Sequence, residues 1–210
     1  MSYEEKLERQ GKLVAFEGID RAGKTSIVNT LSKTLVDTKL PVVFCGERRS
    51  PIGPLLERES LKTLSPLIKT YFFAADRAWV YERECVPGLI RGALVLWDRY
   101  VDSALVYRSV ELERHPSNIS LDFVKSINLP FRRPDLTFFI DVSVETSGKR
   151  ALQIGNFELY DKAFLEEVRK RYTELAIAED YVSINGEHPL SEITTEVSTR
   201  IREEFPDLFL

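Results

Sequence analysis

The chain has 210 residues, 43% of them apolar, and a formal net charge of −4 at pH 7. That length supplies one core of ordinary domain size, and the mild acidity excludes a broad nucleic-acid footprint while leaving room for a local basic cleft. Two cysteines, Cys45 and Cys85, stand at no metal-ligand spacing and are expected as buried reduced thiols.

The opening MSYEEKLERQGK is charged and has no apolar run, which reads against an export signal. No stretch is apolar for long enough to span a membrane, so a cytoplasmic protein is expected. KLVAFE, residues 12–17, is short, apolar and followed by glycine, the mark of a buried strand. Residues 25–38 then place Ile27, Val28, Leu31 and Leu35 on one helical face. Further strands are expected over 41–45, 92–98, 135–142 and 180–186. Helices are expected from 65 to about 90, from about 121 to 127, and over 144–152, 164–178 and 189–205. Strands alternating with helices imply a parallel sheet covered on both faces. No repeat, low-complexity tract or linker interrupts 1–210, so one domain is expected.

Between the first strand and the first helix runs Gly18-Ile19-Asp20-Arg21-Ala22-Gly23-Lys24-Thr25, which fits the phosphate-binding pattern G-x-x-x-x-G-K-[ST] in the strand-loop-helix setting it requires. Its glycines let several backbone N–H groups converge on a phosphate, and the helix adds the positive end of its dipole. Lys24 can bridge the β- and γ-phosphates, and the Thr25 hydroxyl can ligate Mg²⁺. The third strand ends in LWDRY. Ligands of parallel sheets bind at the C-terminal strand ends, so Asp98 is placed to hold Mg²⁺ and Arg99 to reach a phosphate. No N-K-x-D-like stretch of a guanine-binding switch and no L-S-G-G-Q-like transporter signature is present. A small kinase acting on a nucleotide or a similar acceptor remains.

Four blocks, FEGIDRAGKT, GERRSPIG, FFAADRAW and DRYVDSALVY, together with RPDLTFFIDV, resemble the thymidylate kinase family from about residue 12 to residue 201. The resemblance implies a P-loop kinase fold with a five-stranded parallel sheet, a short lid at about 153–161, and transfer of the γ-phosphate of ATP to dTMP with Mg²⁺. It also implies a homodimer formed through helices packed side by side, for which the apolar helix around residues 72–81 is the candidate. On the donor side it points to residues 18–25, with Arg150 against adenine and Asn185 at its border. On the acceptor side it points to Arg48 with its neighbour Glu47 at the phosphate, and to Asp20 at the sugar. Phe73 and Arg77, four apart on one helical face, would stack on thymine and meet its O4 oxygen, while Phe72 belongs to the core. Ser103 would face the base. Tyr107 would fill the space of a 2′-hydroxyl, and Tyr160, with Glu158 and Asp161, would close over the acceptor.

Members of the family carry a catalytic arginine either in the loop or in the lid. This chain has Arg21 in the loop and no Lys or Arg in QIGNFELYD, which matches the loop-arginine type. Arg21, Lys24, Asp98 and Arg99 are therefore the catalytic candidates. No general base is needed, because a phosphate monoester is already largely dianionic at neutral pH. Two departures from the pattern, Ala104 and Arg108, leave base selectivity open, and Arg49 and His188 receive no role. Two other readings stay open: a kinase of another nucleotide or of a deoxynucleoside, and a nucleotide-binding regulator without turnover. Arg48 speaks against an acceptor lacking phosphate; Lys24, Thr25, Arg21 and Asp98 speak against loss of turnover.

Overall fold

The computed structural model describes residues 11–35, 40–56, 64–115, 117–153 and 161–209. Five strands, β1 (Lys12–Glu17), β2 (Val42–Gly46), β3 (Leu94–Asp98), β4 (Leu136–Asp141) and β5 (Val182–Asn185), form one parallel sheet in the order β2-β3-β1-β4-β5. On β1, Leu13 and Ala15 enter one core layer while Val14 and Phe16 enter the other, all four fully buried. Burial on both faces is why the strand reads as an unbroken apolar run rather than an alternating one.

The helices are α1 (Lys24–Leu35), α2 (Pro66–Val80), α3 (Val86–Ile90), α4 (Val101–Arg114), α5 (Leu121–Asn128), α6 (Val144–Gln153), α7 (Lys162–Ala178) and α8 (Leu190–Glu204). Two differences from the sequence pattern stand out. The helix expected from 65 to about 90 widens into a π-helical turn at Tyr81–Cys85 before α3. Pro87 there has no N–H to return to the Arg83 carbonyl, so the ladder cannot keep its i to i−4 step. Helix α4 was not expected as an element, because Ser103, Arg108, Ser109 and Glu111 are buried along it beside Val106 and Val110. Its inward face has no clean apolar stripe to read.

The register pairs Phe16 with Asp98 and Gly46 with Asp98. The ends of β1, β2 and β3 therefore lie side by side, and the loops that follow them share one rim. Cys45 and Cys85 are buried free thiols in the layer that also holds Trp97 and Tyr100. Among the described residues no helix is long and apolar enough to cross a membrane.

Candidate active site

The loop after β1 turns on positive φ at three points: Gly18 at 142°, Arg21 at 60° and Gly23 at 103°. Gly18 has a second reason to be glycine, since a Cβ there would lie 2.5 Å from the Ile140 carbonyl oxygen. Lys24 is 3% exposed, and its Nζ donates to the carbonyls of Gly18 (3.0 Å) and Ile19 (2.7 Å). Burial first, and then the Arg99 charge, push the Lys24 amine down to about 7. Helix α6 braces the loop from outside. Ser147 Oγ donates to the Asp20 carbonyl at 2.8 Å, and Arg150 Nη1 donates to the carbonyls of Arg21 and Ala22 at 3.2 and 3.0 Å. Arg150 Nη2 reaches the Gly186 carbonyl at 2.8 Å, so one guanidinium ties the loop to the turn after β5.

At the end of β3 the Thr25 hydroxyl donates to Asp98 Oδ2, while Oδ1 of Asp98 is buried with no hydrogen bond among the described residues. A carboxylate oxygen and a hydroxyl side by side form an oxygen donor set suited to a hard cation completed by phosphate oxygens. Among the described residues no cluster of three or more His, Cys, Asp or Glu could hold a metal alone. Arg99 has φ 63° and donates from Nη2 to Asp20 Oδ1 at 2.5 Å. Its guanidinium lies 5.3 Å from the centre of the Tyr107 ring, and the Tyr107 hydroxyl donates to the same Asp20 oxygen at 3.2 Å. Asp20, Arg99 and Tyr107 thus form one unit.

Beneath it lies a carboxylate that the motif reading passed over. Glu17 is fully buried at the end of β1. It accepts from Tyr100 N at 2.9 Å, Ser103 Oγ at 2.5 Å and the Tyr172 hydroxyl at 3.0 Å. Helix α4 has no side-chain cap of its own at Tyr100, and Glu17 supplies one from the strand. Burial, with the Asp102 charge second, pushes Glu17 up to about 7. Burial also raises the Asp102 carboxyl, against a hydrogen bond from the Tyr181 hydroxyl at 2.7 Å. Ser103, expected to face the base, is 3% exposed, and its hydroxyl is engaged by Glu17 and Tyr172. The signal available for Glu17 was a carboxylate ending a wholly apolar strand.

After β2 comes the loop with Glu47 and Arg48. Arg48 is exposed with φ 65°; Glu47 is half-buried. Burial raises the Glu47 carboxyl, and the charges of Arg99, Arg77 and Arg48 around it pull it back down. Arg49 diverges to the surface, where it pairs with Glu84 at 3.3 Å and lies over the Phe44 ring. On α2, Phe73 is half-buried. Phe72, expected in the core, is also only half-buried and belongs to neither core layer. Arg77 is 3% exposed; it donates to Asn128 Oδ1 at 2.6 Å and to the Tyr100 carbonyl at 3.2 Å, and packs over Phe131. Arg108, the departure on α4, is buried in an ion pair with Glu111, whose other oxygen takes Lys69 of α2 at 3.1 Å.

Asn185, the last residue of β5, contacts His188 Nε2 at 3.1 Å and accepts from Glu187 N at 3.0 Å, so it shapes the turn beside Gly186. Asp161 caps α7 through Phe164 N at 2.7 Å and pairs with Arg114. Tyr160 and Glu158 of the expected lid lie outside the described residues.

Comparison with known proteins points to one family. A family model described as "Thymidylate kinase" matches residues 16–197. The "Probable thymidylate kinase" of Pyrobaculum aerophilum is 34% identical over 194 residues, 90% of this chain and 95% of the relative. That of Pyrobaculum calidifontis is 32% identical over 200 residues, 93% of this chain and 98% of the relative. The "Thymidylate kinase" of Rickettsia typhi is 30% identical over 172 residues, 78% and 81% of the two chains.

Proposed function

The chain belongs to the thymidylate kinase family, and on that premise we propose which of its residues carry the transfer of the γ-phosphate of ATP to dTMP. The activity is that of an ATP-dependent thymidylate kinase, giving dTDP and ADP. One observation carries the assignment of residues. Of the four described non-glycine residues with positive φ, three are arginines at the shared rim: Arg21, Arg48 and Arg99. A left-handed residue with a side chain costs roughly 1–2 kcal/mol, and such strain collects where a side chain must be aimed.

In this reading the backbone of residues 18–25 cradles the donor phosphates, and Lys24 bridges β and γ. Arg21 neutralises the oxygens between the transferred group and its leaving phosphate. Arg48 grips the acceptor phosphate, and Arg99 screens its approach. Because the acceptor phosphate is an anion without need of a base, the residues' task is to align two anions and offset their repulsion. The depressed Lys24 amine regains its proton against phosphate. Thr25 and Asp98 would hold Mg²⁺, which supplies charge neutralisation across the phosphates when bound. Phe73 stacks on thymine, Arg77 faces O4 and Tyr107 crowds a 2′-hydroxyl. Both terminal nitrogens of Arg150 donate to carbonyls, which leaves its flat face for adenine, with Asn185 at the border. Residues 1–210 act as one kinase domain with a lid at about 153–161, in the cytoplasm.

A homodimer goes with this reading. Ile68, Tyr71 and Trp79 on α2 are 40, 53 and 37% exposed and fall on one side of the helix, a stripe suited to a second copy. Light scattering on Tyr71→Glu/Trp79→Glu should report a monomer where the wild type is a dimer.

The substrate assignment is tested by ADP release with a panel of monophosphates. We expect dTMP first and dUMP weaker by about 1–3 kcal/mol for one methyl. UMP and dCMP should be poor. dCMP opposes its amino donor to that of Arg77. Equal use of UMP or dCMP would remove the base-recognition reading while leaving the phosphate assignments in place.

A further inference from the structure

We infer that Asp76 is a positioning residue that sets affinity for the acceptor phosphate by holding Arg48 in its left-handed conformation; the inference rests on the reading of Arg48 as the acceptor-phosphate arginine. Asp76 lies on α2 directly before Arg77 and is 1% exposed. A buried carboxylate is unfavourable unless its oxygens are hydrogen-bonded. Here both oxygens accept from backbone of one loop: Oδ2 from Arg48 N at 2.7 Å and Oδ1 from Ser50 N at 3.0 Å.

The geometry explains why the loop needs an anion. A left-handed residue curls the N–H groups on either side of it toward one concave face, which attracts negative charge. Arg48 at φ 65° makes that turn, and the Asp76 carboxylate occupies its face. Charge-assisted bonds of this kind are about twice as strong as neutral ones, enough to offset the cost of the strained backbone. The loop carries a second lock. A Cβ on Gly53 would stand 2.3 Å from the Arg48 carbonyl oxygen, and Gly53 N donates to the Ser50 carbonyl at 2.9 Å. With this backbone set, Arg48 stands next to Glu47, whose carboxyl also feels the Arg99 and Arg77 charges, while Arg49 pairs with Glu84. Arg49 is thus committed to Glu84 and the Phe44 ring, and Arg48 is the one whose backbone Asp76 holds. Asp76 acts through Arg48, because its two oxygens are engaged by backbone.

The experiment compares Arg48→Ala, Asp76→Asn, Gly53→Ala and the double variant Asp76→Asn/Arg48→Ala. It reads KM for dTMP, kcat, and ATP affinity by equilibrium binding. Asn keeps one acceptor and turns an amide donor against the other N–H. Asp76→Asn should raise KM for dTMP by about 10- to 100-fold, with ATP affinity within about twofold. Gly53→Ala should move the same constant in the same direction, and it decides the question if Asp76→Asn does not fold. The double variant should have the KM of Arg48→Ala alone, since Asp76 has nothing left to position. If Arg48→Ala leaves KM for dTMP unchanged, the reading of Arg48 itself is lost. If Arg48→Ala raises KM but Asp76→Asn and Gly53→Ala do not, or if the two losses multiply in the double variant, the positioning inference is overturned and the Arg48 reading survives.

Discussion

Arg21 and Arg48 both occupy the left-handed region, yet they are held there by different means. Around Arg21 the constraints are mostly close in sequence: Gly18 and Gly23 take positive φ, Lys24 ties back to Gly18 and Ile19, and Ala22 N donates to the Ile19 carbonyl at 3.3 Å. From elsewhere, Ser147 and Arg150 reach the loop backbone and Arg99 reaches Gly18 and Asp20. Around Arg48 the main constraint is Asp76, 28 residues away on a helix. The donor loop is thus a local device that any strand-loop-helix can carry. The acceptor loop exists only once α2 has packed beside β2. The difference predicts that donor-side substitutions act on chemistry, while acceptor-side ones act on recognition and are felt through packing.

The largest effect should come from the donor side. Arg21→Ala is expected to lower kcat by about 10³-fold or more, in line with other arginines at transferring phosphates, with KM for ATP nearly unchanged. Single-turnover kinetics check this. A loss under about tenfold would pass the transition-state charge to Arg99, already fixed on Asp20.

On the acceptor side, Arg77→Ala should lower kcat/KM for dTMP by about 100-fold or less, the scale of lost charge-assisted bonds. dCMP should change little, so the gap between the two narrows. Tm should fall as well, because Asn128 Oδ1 and the Tyr100 carbonyl lose their donor. An unchanged dTMP-to-dCMP ratio would mean that Arg77 is only a brace between α2, α4 and α5.

Glu17 lies under both halves and sharpens the comparison through pH. Its folded pKa is raised from 4.5 to about 7, so between those values the folded state binds more protons than the unfolded one. Its contribution to stability is therefore full below about 4.5 and is lost as pH rises toward 7. Glu17→Gln should remove that part of the slope, on the order of 2 kcal/mol, in denaturant titrations run from pH 5 to 8. Parallel slopes for wild type and variant would show that Glu17 stays ionised throughout.

The smallest effect is expected at Arg108. Because Glu111 keeps Lys69 at 3.1 Å, Arg108→Gln should cost about 1 kcal/mol and leave the dTMP-to-dCMP preference within about threefold. A larger change in preference would make this ion cluster part of base recognition instead of a tie between α2 and α4.

Much of the molecule was legible before folding because its signals are short-range. Burial on both sides writes β1 and β3 as apolar runs. Glycine spacing with Lys24 and Thr25 marks the donor loop, and the absence of cations in QIGNFELYD isolates Arg21. Helix α4 was not legible, since buried Ser103, Arg108 and Glu111 erase its periodicity. The partners of the Ser103 hydroxyl were hidden for the same reason: nothing near it in the chain announces Glu17 or Tyr172.

The amino-acid sequence by itself determined the family, the sheet and the glycine-lysine-threonine pattern of the loop after β1. Tertiary structure decided how the arginines at the rim are aimed. Arg99 takes φ 63° because its N–H reaches the Phe16 carbonyl at 3.1 Å while Tyr100 N is caught by Glu17. Arg48 takes φ 65° because Asp76 receives its N–H. A residue with a Cβ does not choose that region unaided. The acceptors that hold it there come from β1 and α2, and they meet these N–H groups only when the sheet and helices have packed.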